Sequence, residues 1–167
     1  MSEELIRIND ALRQFSTFIG SPPLALDEHG VCAFTYEQTM EVVLELPPGS
    51  SNLYLHATVM PAPTRDQTAF YERLLHWNAY CLRTRGAILA LDPDEAHVLL
   101  CYLCPVDVID QALLGNILTN FVATLKMLIG ELSEAHEPQE AAPARPESGG
   151  VHPSELAENW QYLANRV

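Results

Sequence analysis

The stretch RTRGAILALDPDEAHVLLCYLCP, residues 83–105, decides the fold class, because it contains two strand-like segments around one turn. The run Asp92-Pro93-Asp94-Glu95-Ala96 between the two segments is typical of a tight turn, so a β-hairpin is predicted. Its second strand is apolar on both faces: Val98, Leu100 and Tyr102 alternate with Leu99, Cys101 and Leu103. A strand of this kind is expected to be covered on both sides, which points to a subunit interface.

The same strand contains the Cys-x-x-Cys pair of the chain, Cys101 and Cys104. Residues three apart on a strand point to opposite faces, and their Cα atoms lie roughly 10 Å apart. That separation exceeds the limit of about 7 Å for a disulfide, and a single metal ion cannot be held from two faces. A redox pair would need a helix N-terminus at this place. We therefore predict that the two cysteines are packing residues.

The composition indicates one folded domain with no affinity for polyanions. The 167 residues are 48% hydrophobic, and 22 acidic against 9 basic residues give a net charge of −13. Nucleic-acid binding needs clustered cations, and an anionic membrane surface would repel this chain. The first 20 residues resemble no signal peptide, and the longest uncharged apolar run has seven residues. A cytoplasmic protein without membrane insertion is expected.

Periodicity away from the hairpin predicts the remaining elements. Helices are expected over 2–19, over 64–85 with a capping box at Thr64 and Gln67, and over 107–132. Strands are expected at 31–36, 40–46 and 53–60, joined by short loops. The predicted fold is α+β, with the order helix, three strands, helix, two strands, helix, and an antiparallel sheet flanked by helices.

The second helix indicates a homodimer. It carries one apolar stripe of Phe70, Leu74, Trp77 and Cys81, and beside it a second stripe of Tyr71, Leu75 and Leu82. One stripe is enough to pack a surface helix on a sheet. A second subunit would cover the second stripe.

The composition changes after the third helix. Residues 136–153, HEPQEAAPARPESGGVHP, offer almost nothing to bury and are predicted to be a disordered linker. Residues 154–167 would place Leu156, Trp160, Leu163 and Val167 on one face of a short helix. The domain is accordingly predicted to span 1–135, followed by the linker and the 154–167 segment.

No motif for catalysis, metal binding or cofactor binding was found. The six histidines show no H-x-x-x-H spacing, and the chain lacks nucleophile-elbow, phosphate-loop and zinc-protease signatures. Asp92-Pro93-Asp94-Glu95 lacks the spaced oxygens of a calcium loop. We predict no catalytic residue, no metal site and no cofactor.

Three local stretches, taken with the element order and the acidity, resemble a known family. They are PLALDEHGVCAF (23–34), LLHWNAYCLRTRGAILALDP (74–93) and HVLLCYLCPVD (97–107). Over about residues 2–132 the chain resembles the class I type III secretion chaperones, the Tir-chaperone family that includes CesT and SycE. The resemblance implies a non-enzymatic cytoplasmic homodimer that binds an extended N-terminal segment of a secreted effector and keeps it competent for export. It also raises the secretion-apparatus ATPase as a further partner.

The resemblance implies that cargo binds the first helix and the sheet, with backbone pairing at a sheet edge, and that the second helix and nearby strands form the dimer. On this sequence the cargo-binding residues are predicted to be Leu24, Leu26, Phe34, Tyr36, Val43, Tyr54 and Met60. The dimer interface is predicted to contain Tyr71, Leu75, Trp77, Asn78, Leu82, Leu99, Cys101 and Leu103.

Two other functions stay open on the sequence. One is a regulatory or scaffolding module with the same fold but without export cargo. The other is a small enzyme with a cysteine nucleophile, which would need an exposed thiol of low pKa beside a base.

Overall fold

The computed structural model describes residues 3–92 and 97–134. The elements are α1 (Glu3–Ile19), β1 (Val31–Tyr36), β2 (Met40–Glu45), β3 (Asn52–Pro61), α2 (Gln67–Asn78), β4 (Ile88–Leu91), β5 (His97–Pro105) and α3 (Gln111–Glu134). Short 3-10 turns follow α2 and precede α3. The predicted order of elements is confirmed. The predicted hairpin turn at 93–96 and the predicted linker and terminal segment lie outside the described residues.

The five strands form one antiparallel sheet in the order β1-β2-β3-β5-β4. Side chains alternate between the two faces along each strand, so every second side chain points into the core, as expected for a sheet with a single covered face. On β2, at the residue that follows it and on β3, the side chains that point inward are buried: Val42, Leu44, Leu46, Leu53, Leu55, Ala57 and Val59. The sheet edges are β1 and β4.

Helices α1 and α3 cover the inner face of the sheet. The apolar stripe of α1 is buried in the core at Ile8, Leu12, Phe15 and Ile19. The two helices pack closely at Gly115, where an added Cβ would lie 3.2 Å from a ring carbon of Phe15. The core is thus a layer between the two helices and the sheet.

Helix α3 is the most apolar element. Its Gln111–Ser133 stretch has a mean hydropathy of 1.5, which by length and composition alone would be enough to cross a membrane. In the structure, its buried side chains include Leu118, Val122 and Leu125, which belong to the same core cluster as α1 and the sheet. This is the arrangement of the core helix of a globular domain.

Helix α2 is shorter than predicted. It begins at Gln67, and the preceding residue, Asp66, has left-handed backbone and makes no side-chain cap, so the expected capping box at Thr64 is wrong. The helix ends at Asn78 rather than Arg85. Tyr80 and Arg85 adopt positive φ angles of 58° and 52°, which an α-helix cannot continue through.

The alternation along β3 is interrupted near its end. A register shift lies between Thr58 and Met60, after which Met60 pairs with Val98, a core residue. Met60 therefore packs against the core instead of joining Tyr54 on the outer face, where simple alternation placed it.

Candidate functional site

The outer face of the sheet, which we call the open face, carries a row of side chains across all five strands. The register pairs Ala33 with Val43, Val43 with His56, His56 with Cys101, and Cys101 with Ile88. Directly opposed residues on neighbouring strands have adjacent side chains. All five are half-buried or exposed. The sheet thus brings together Val43 from the predicted cargo set and Cys101 from the predicted dimer set.

A second row on the open face is more amphipathic. Tyr54 pairs with Leu103 on one side and with Glu45 on the other. Tyr54 and Leu103 are both exposed. Tyrosine combines a large apolar ring with a polar tip, which suits a surface that is wet when free and covered when bound. The open face therefore carries separate apolar patches beside polar residues, rather than one continuous apolar groove.

Three of the predicted cargo residues lie in the core instead. Leu26, Phe34 and Tyr36 are at most 6% exposed. On β1 the outward positions are the odd-numbered ones, so Phe34 and Tyr36 face α1 and α3. Leu26 is fixed through its backbone by the Asn9 amide, which accepts from its N–H at 2.7 Å and donates to its C=O at 3.2 Å. Their side chains are not available to a partner of the folded domain.

The end of α1 presents a separate apolar side chain. Phe18 is 79% exposed, although it is a large aromatic residue. The following segment folds back along α1, where the Leu24 N–H donates to Ser16 Oγ at 2.9 Å and the Leu24 side chain is half-buried. Phe18 was missed at the sequence level. The signal was present, because the stripe through Phe15 and Ile19 leaves Phe18 without a place in the core.

A third exposed region, which we call the α2 surface, consists of Leu75, Tyr80 and Leu82. These side chains are 69%, 91% and 81% exposed. Tyr80 was not predicted, since a continuous helix would have placed it on the solvent side. Of the other predicted interface residues on α2, Tyr71 and Trp77 are half-buried against the core. The Arg83 guanidinium also lies over the Trp77 ring, 4.6 Å from its centroid.

Asn78 has a role inside the chain. Its side-chain amide accepts from Leu89 N–H at 2.8 Å and donates to Leu89 C=O at 2.9 Å. It therefore takes the place of a neighbouring strand at the outer edge of β4. Thr84 closes the adjacent position, since its hydroxyl donates to Ala87 C=O and its own C=O accepts from Ala87 N–H. The β4 edge is largely sealed at these two positions.

The β1 edge is closed only at its beginning. Val31 donates its N–H to the Asp27 carboxylate at 2.9 Å and accepts the Asp27 N–H at 2.8 Å. These bonds show that Val31 points its backbone groups away from β2. Ala33 and Thr35 follow at alternate positions and so point the same way, onto the free edge. Among residues 3–92 and 97–134, the outward backbone groups of Ala33 and Thr35 have no hydrogen-bond partner, so an added strand could pair with them.

Three of the four cysteines have a raised thiol pKa, which is unfavourable for a nucleophile. Burial raises the pKa of the Cys32, Cys101 and Cys104 thiols, and the charge of Asp107 raises that of Cys104 further. A raised pKa lowers the thiolate fraction at neutral pH. Cys101 is on the open face and Cys104 in the core, as their odd spacing predicts. Within residues 3–92 and 97–134, no group of three or more metal-ligating side chains was found.

The geometry defines a class: a single α+β domain whose sheet is covered on one face and open on the other, with exposed apolar side chains on two of its helices or their ends. The family model of the Tir chaperone protein (CesT) family matches residues 10–128. The chain belongs to this family. A search of curated protein sequences returned no match.

Solved structures share the fold at low sequence identity. A chain of the HopA1–SchA chaperone–effector complex matches with a TM-score of 0.65 and 18% identity, over 78% of this chain and 98% of the other. A chain of the ExsC–ExsE complex matches with a TM-score of 0.66 and 20% identity, over 78% and 96%. YbjN, a putative transcription regulator from E. coli, matches with a TM-score of 0.54 and 15% identity, over 75% and 91%.

Proposed function

We propose that this protein is a type III secretion chaperone that binds an extended N-terminal segment of a secreted effector in the bacterial cytoplasm. In this role it keeps the segment unfolded and competent for export and catalyses no reaction. The observation that carries the proposal is the family match over residues 10–128. The likeness to chains from chaperone–effector complexes supports it.

The open face supplies the physical means of holding an unfolded segment. Such a segment has no fixed surface of its own, so its partner must bind backbone and single side chains. Val43 and Tyr54 present partly exposed apolar area on the β2 and β3 side of the sheet. The free β1 edge, at Ala33 and Thr35, offers sequence-tolerant hydrogen bonds beside them. Pairing at the β4 edge would require displacement of Asn78, so we assign strand addition to β1.

A second contact for the same segment is proposed at the end of α1. Phe18 is exposed, and Leu24 is half-buried in the segment that folds back along α1. Ordering an extended chain costs free energy, so its affinity must come from many modest contacts over a long footprint. Leu26, Phe34 and Tyr36 then support the contact surface from the core, and Met60 is not part of it.

We also propose that two copies associate through the α2 surface and the adjoining strands β4 and β5. Leu75, Tyr80 and Leu82 are large apolar side chains in contact mostly with solvent, and Leu103 is an exposed apolar residue of β5. Exposed apolar patches of this kind mark interfaces in soluble proteins. A symmetric pairing would use the same patch on both copies. The secretion-apparatus ATPase is proposed as a later partner of the loaded dimer.

The proposal is tested by removing the gene from its host and comparing the proteins that the type III apparatus exports. Loss of one or a few exported proteins, with the others unchanged, is the expected result. Restoring the gene should restore them. An unchanged set of exported proteins would overturn the proposal.

A regulatory module without cargo is the second candidate. The match to YbjN favours it, since that protein is described as a putative transcription regulator and shares the fold. In the same experiment, a regulator would change transcript levels of many genes. A chaperone would leave the effector transcript unchanged while the effector protein is lost.

A further inference from the structure

A groove at the start of α2 contains two basic side chains that have no polar partner among the described residues. The groove has a volume of about 800 Å³, an apolar lining that includes Met60 and Phe70, and two arginines, Arg65 and Arg73. Asp66 is its one acidic lining residue. No ion pair or hydrogen bond joins the guanidinium of Arg65 or Arg73 to another described residue.

The other basic side chains of the described part of the chain all have a polar partner. Arg7 donates to Asp107 C=O, Arg13 pairs with Asp10, and Arg83 pairs with Glu131. Lys126 pairs with Glu37 at 2.8 Å, and Arg85 donates to Asn120 at 3.4 Å. In a chain with a net charge of −13, acidic partners are abundant. Two unpaired arginines in one apolar groove therefore indicate an acidic, apolar ligand.

The chain itself carries a segment of that chemistry. Residues 154–167, SELAENWQYLANRV, combine Glu155 and Glu158 with the apolar residues Leu156, Trp160 and Leu163. We propose that this terminal segment docks in cis on the groove, with Leu156 and Trp160 against Met60 and Phe70 and with its two glutamates beside Arg65 and Arg73.

The length of the intervening chain fits this contact. Helix α3 reaches the far end of α2, where Glu131 pairs with Arg83 above Trp77. The groove lies at the opposite end of α2, a 12-residue helix of roughly 18 Å. The 19 residues from 135 to 153 would span about 25 Å as a flexible linker. When the linker matches the span, the effective concentration is on the order of millimolar, so a weak contact is sufficient.

The docked segment would shield the groove in each copy of the chain. This contact is independent of the proposed function, because it uses residues outside the open face, the end of α1 and the α2 surface. The test of this contact does not depend on whether an effector binds.

The experiment uses Trp160 as a reporter in the full chain with Trp77→Phe, which leaves Trp160 as the single tryptophan. Acrylamide quenching and the emission maximum of Trp160 are compared with those of a synthetic 154–167 peptide. The proposal predicts a bluer emission and weaker quenching in the full chain than in the peptide. Equal values would overturn it.

Charge reversal tests whether Arg65 and Arg73 hold the terminal segment. R65E with R73E should shift Trp160 to the values of the free peptide, and adding E155R with E158R should restore the shielded values. Both arginines are exposed and unpaired, so the fold should be retained, which circular dichroism checks. R7E with R13E is the charge-matched control and should leave Trp160 shielded. Unchanged quenching in the R65E and R73E variant, or shielding that disappears on dilution, would overturn docking in cis.

Discussion

At the scale of single residues, three side chains act as substitutes for a strand or a turn. The Asn78 amide pairs with both backbone groups of Leu89, the Asn9 amide does the same for Leu26, and the Asp27 carboxylate accepts from the N–H groups of His29 and Val31. Each one satisfies backbone groups that the sheet or helix leaves unpaired. Asn78 and Asp27 thereby determine which parts of the β4 and β1 edges stay open.

Asn78→Ala should destabilise the domain by about 1–3 kcal/mol, because the N–H and C=O of Leu89 lose both partners. The free energy of unfolding is measured by urea denaturation. Asn116→Ala is the control, since Asn116 is an exposed residue of α3 and should change stability little. Equal stability of both variants would contradict the strand-substitute role of Asn78.

The thermal stability of the domain should depend on pH through the Asp27 carboxyl group. The backbone N–H of Val31, followed by that of His29, holds the pKa of the Asp27 carboxyl below its ordinary value. A lowered folded-state pKa stabilises the native state above the ordinary pKa of about 3.9, and this contribution is lost as the pH falls through the folded-state value. Asp27→Asn should therefore lower the Tm at pH 7, and the difference from the native chain should shrink below pH 4. A pH-independent difference for Asp27→Asn would contradict the account.

At the scale of elements, strands were predicted better than the ends of helices. Period-two alternation identified β1 to β3 within one or two residues, because one buried face imposes a strict pattern on each strand. The end of α2 could not be predicted, because the apolar periodicity of the sequence continues past Asn78 to Leu82. The helix ends at Asn78, whose side chain bonds a strand residue eleven positions later. The shift of Met60 likewise depends on a bulge that leaves no mark in the alternation of β3.

The candidate site was predictable only in part for the same reason. Val43 and Tyr54 are on the open face because alternation places them there. Phe34 and Tyr36 were assigned to cargo, but the outward face of β1 depends on how β1 pairs with β2, which the sequence of β1 does not specify. Whether an aromatic residue of β1 is buried thus depends on the register between β1 and β2.

The α2 surface should be responsible for association. Leu75→Glu with Leu82→Glu is expected to convert the proposed dimer into a folded monomer, because both side chains are exposed within one chain and would be buried between the two copies. Light scattering measures the mass and circular dichroism the fold. Phe18→Glu, an equally exposed substitution on α1, should keep the dimer, while a native chain that is monomeric at micromolar concentration would contradict this assignment.

At the scale of the whole molecule, the proposed functions fall on separate surfaces. The inner face of the sheet holds the core. We propose that the α2 surface with strands β4 and β5 serves association, and that the β1–β3 part of the open face with the end of α1 serves cargo. The groove beside Arg65 and Arg73 is proposed to hold the terminal segment. This separation predicts that substitutions at one surface leave the other functions intact.

Removal of residues 136–167 should leave the dimer and the thermal stability of the domain nearly unchanged. The family match ends at residue 128, and the described core cluster runs from Ile8 to Leu132. A cis contact supported by a millimolar effective concentration adds little to the free energy of folding. Scanning calorimetry compares the shortened and full chains, and a large fall in Tm would mean that residues 136–167 belong to the core.

The central claim is that the open face holds an extended effector segment. The direct measurement is co-purification of a tagged chain from its native host, with the captured protein identified by mass spectrometry, beside the Val43→Asp and Tyr54→Asp double variant. The account predicts that the native chain captures an exported protein through that protein's N-terminal region, and that the double variant remains a dimer but captures none. Capture of the same protein by the double variant, or capture that persists without the N-terminal region, would contradict it.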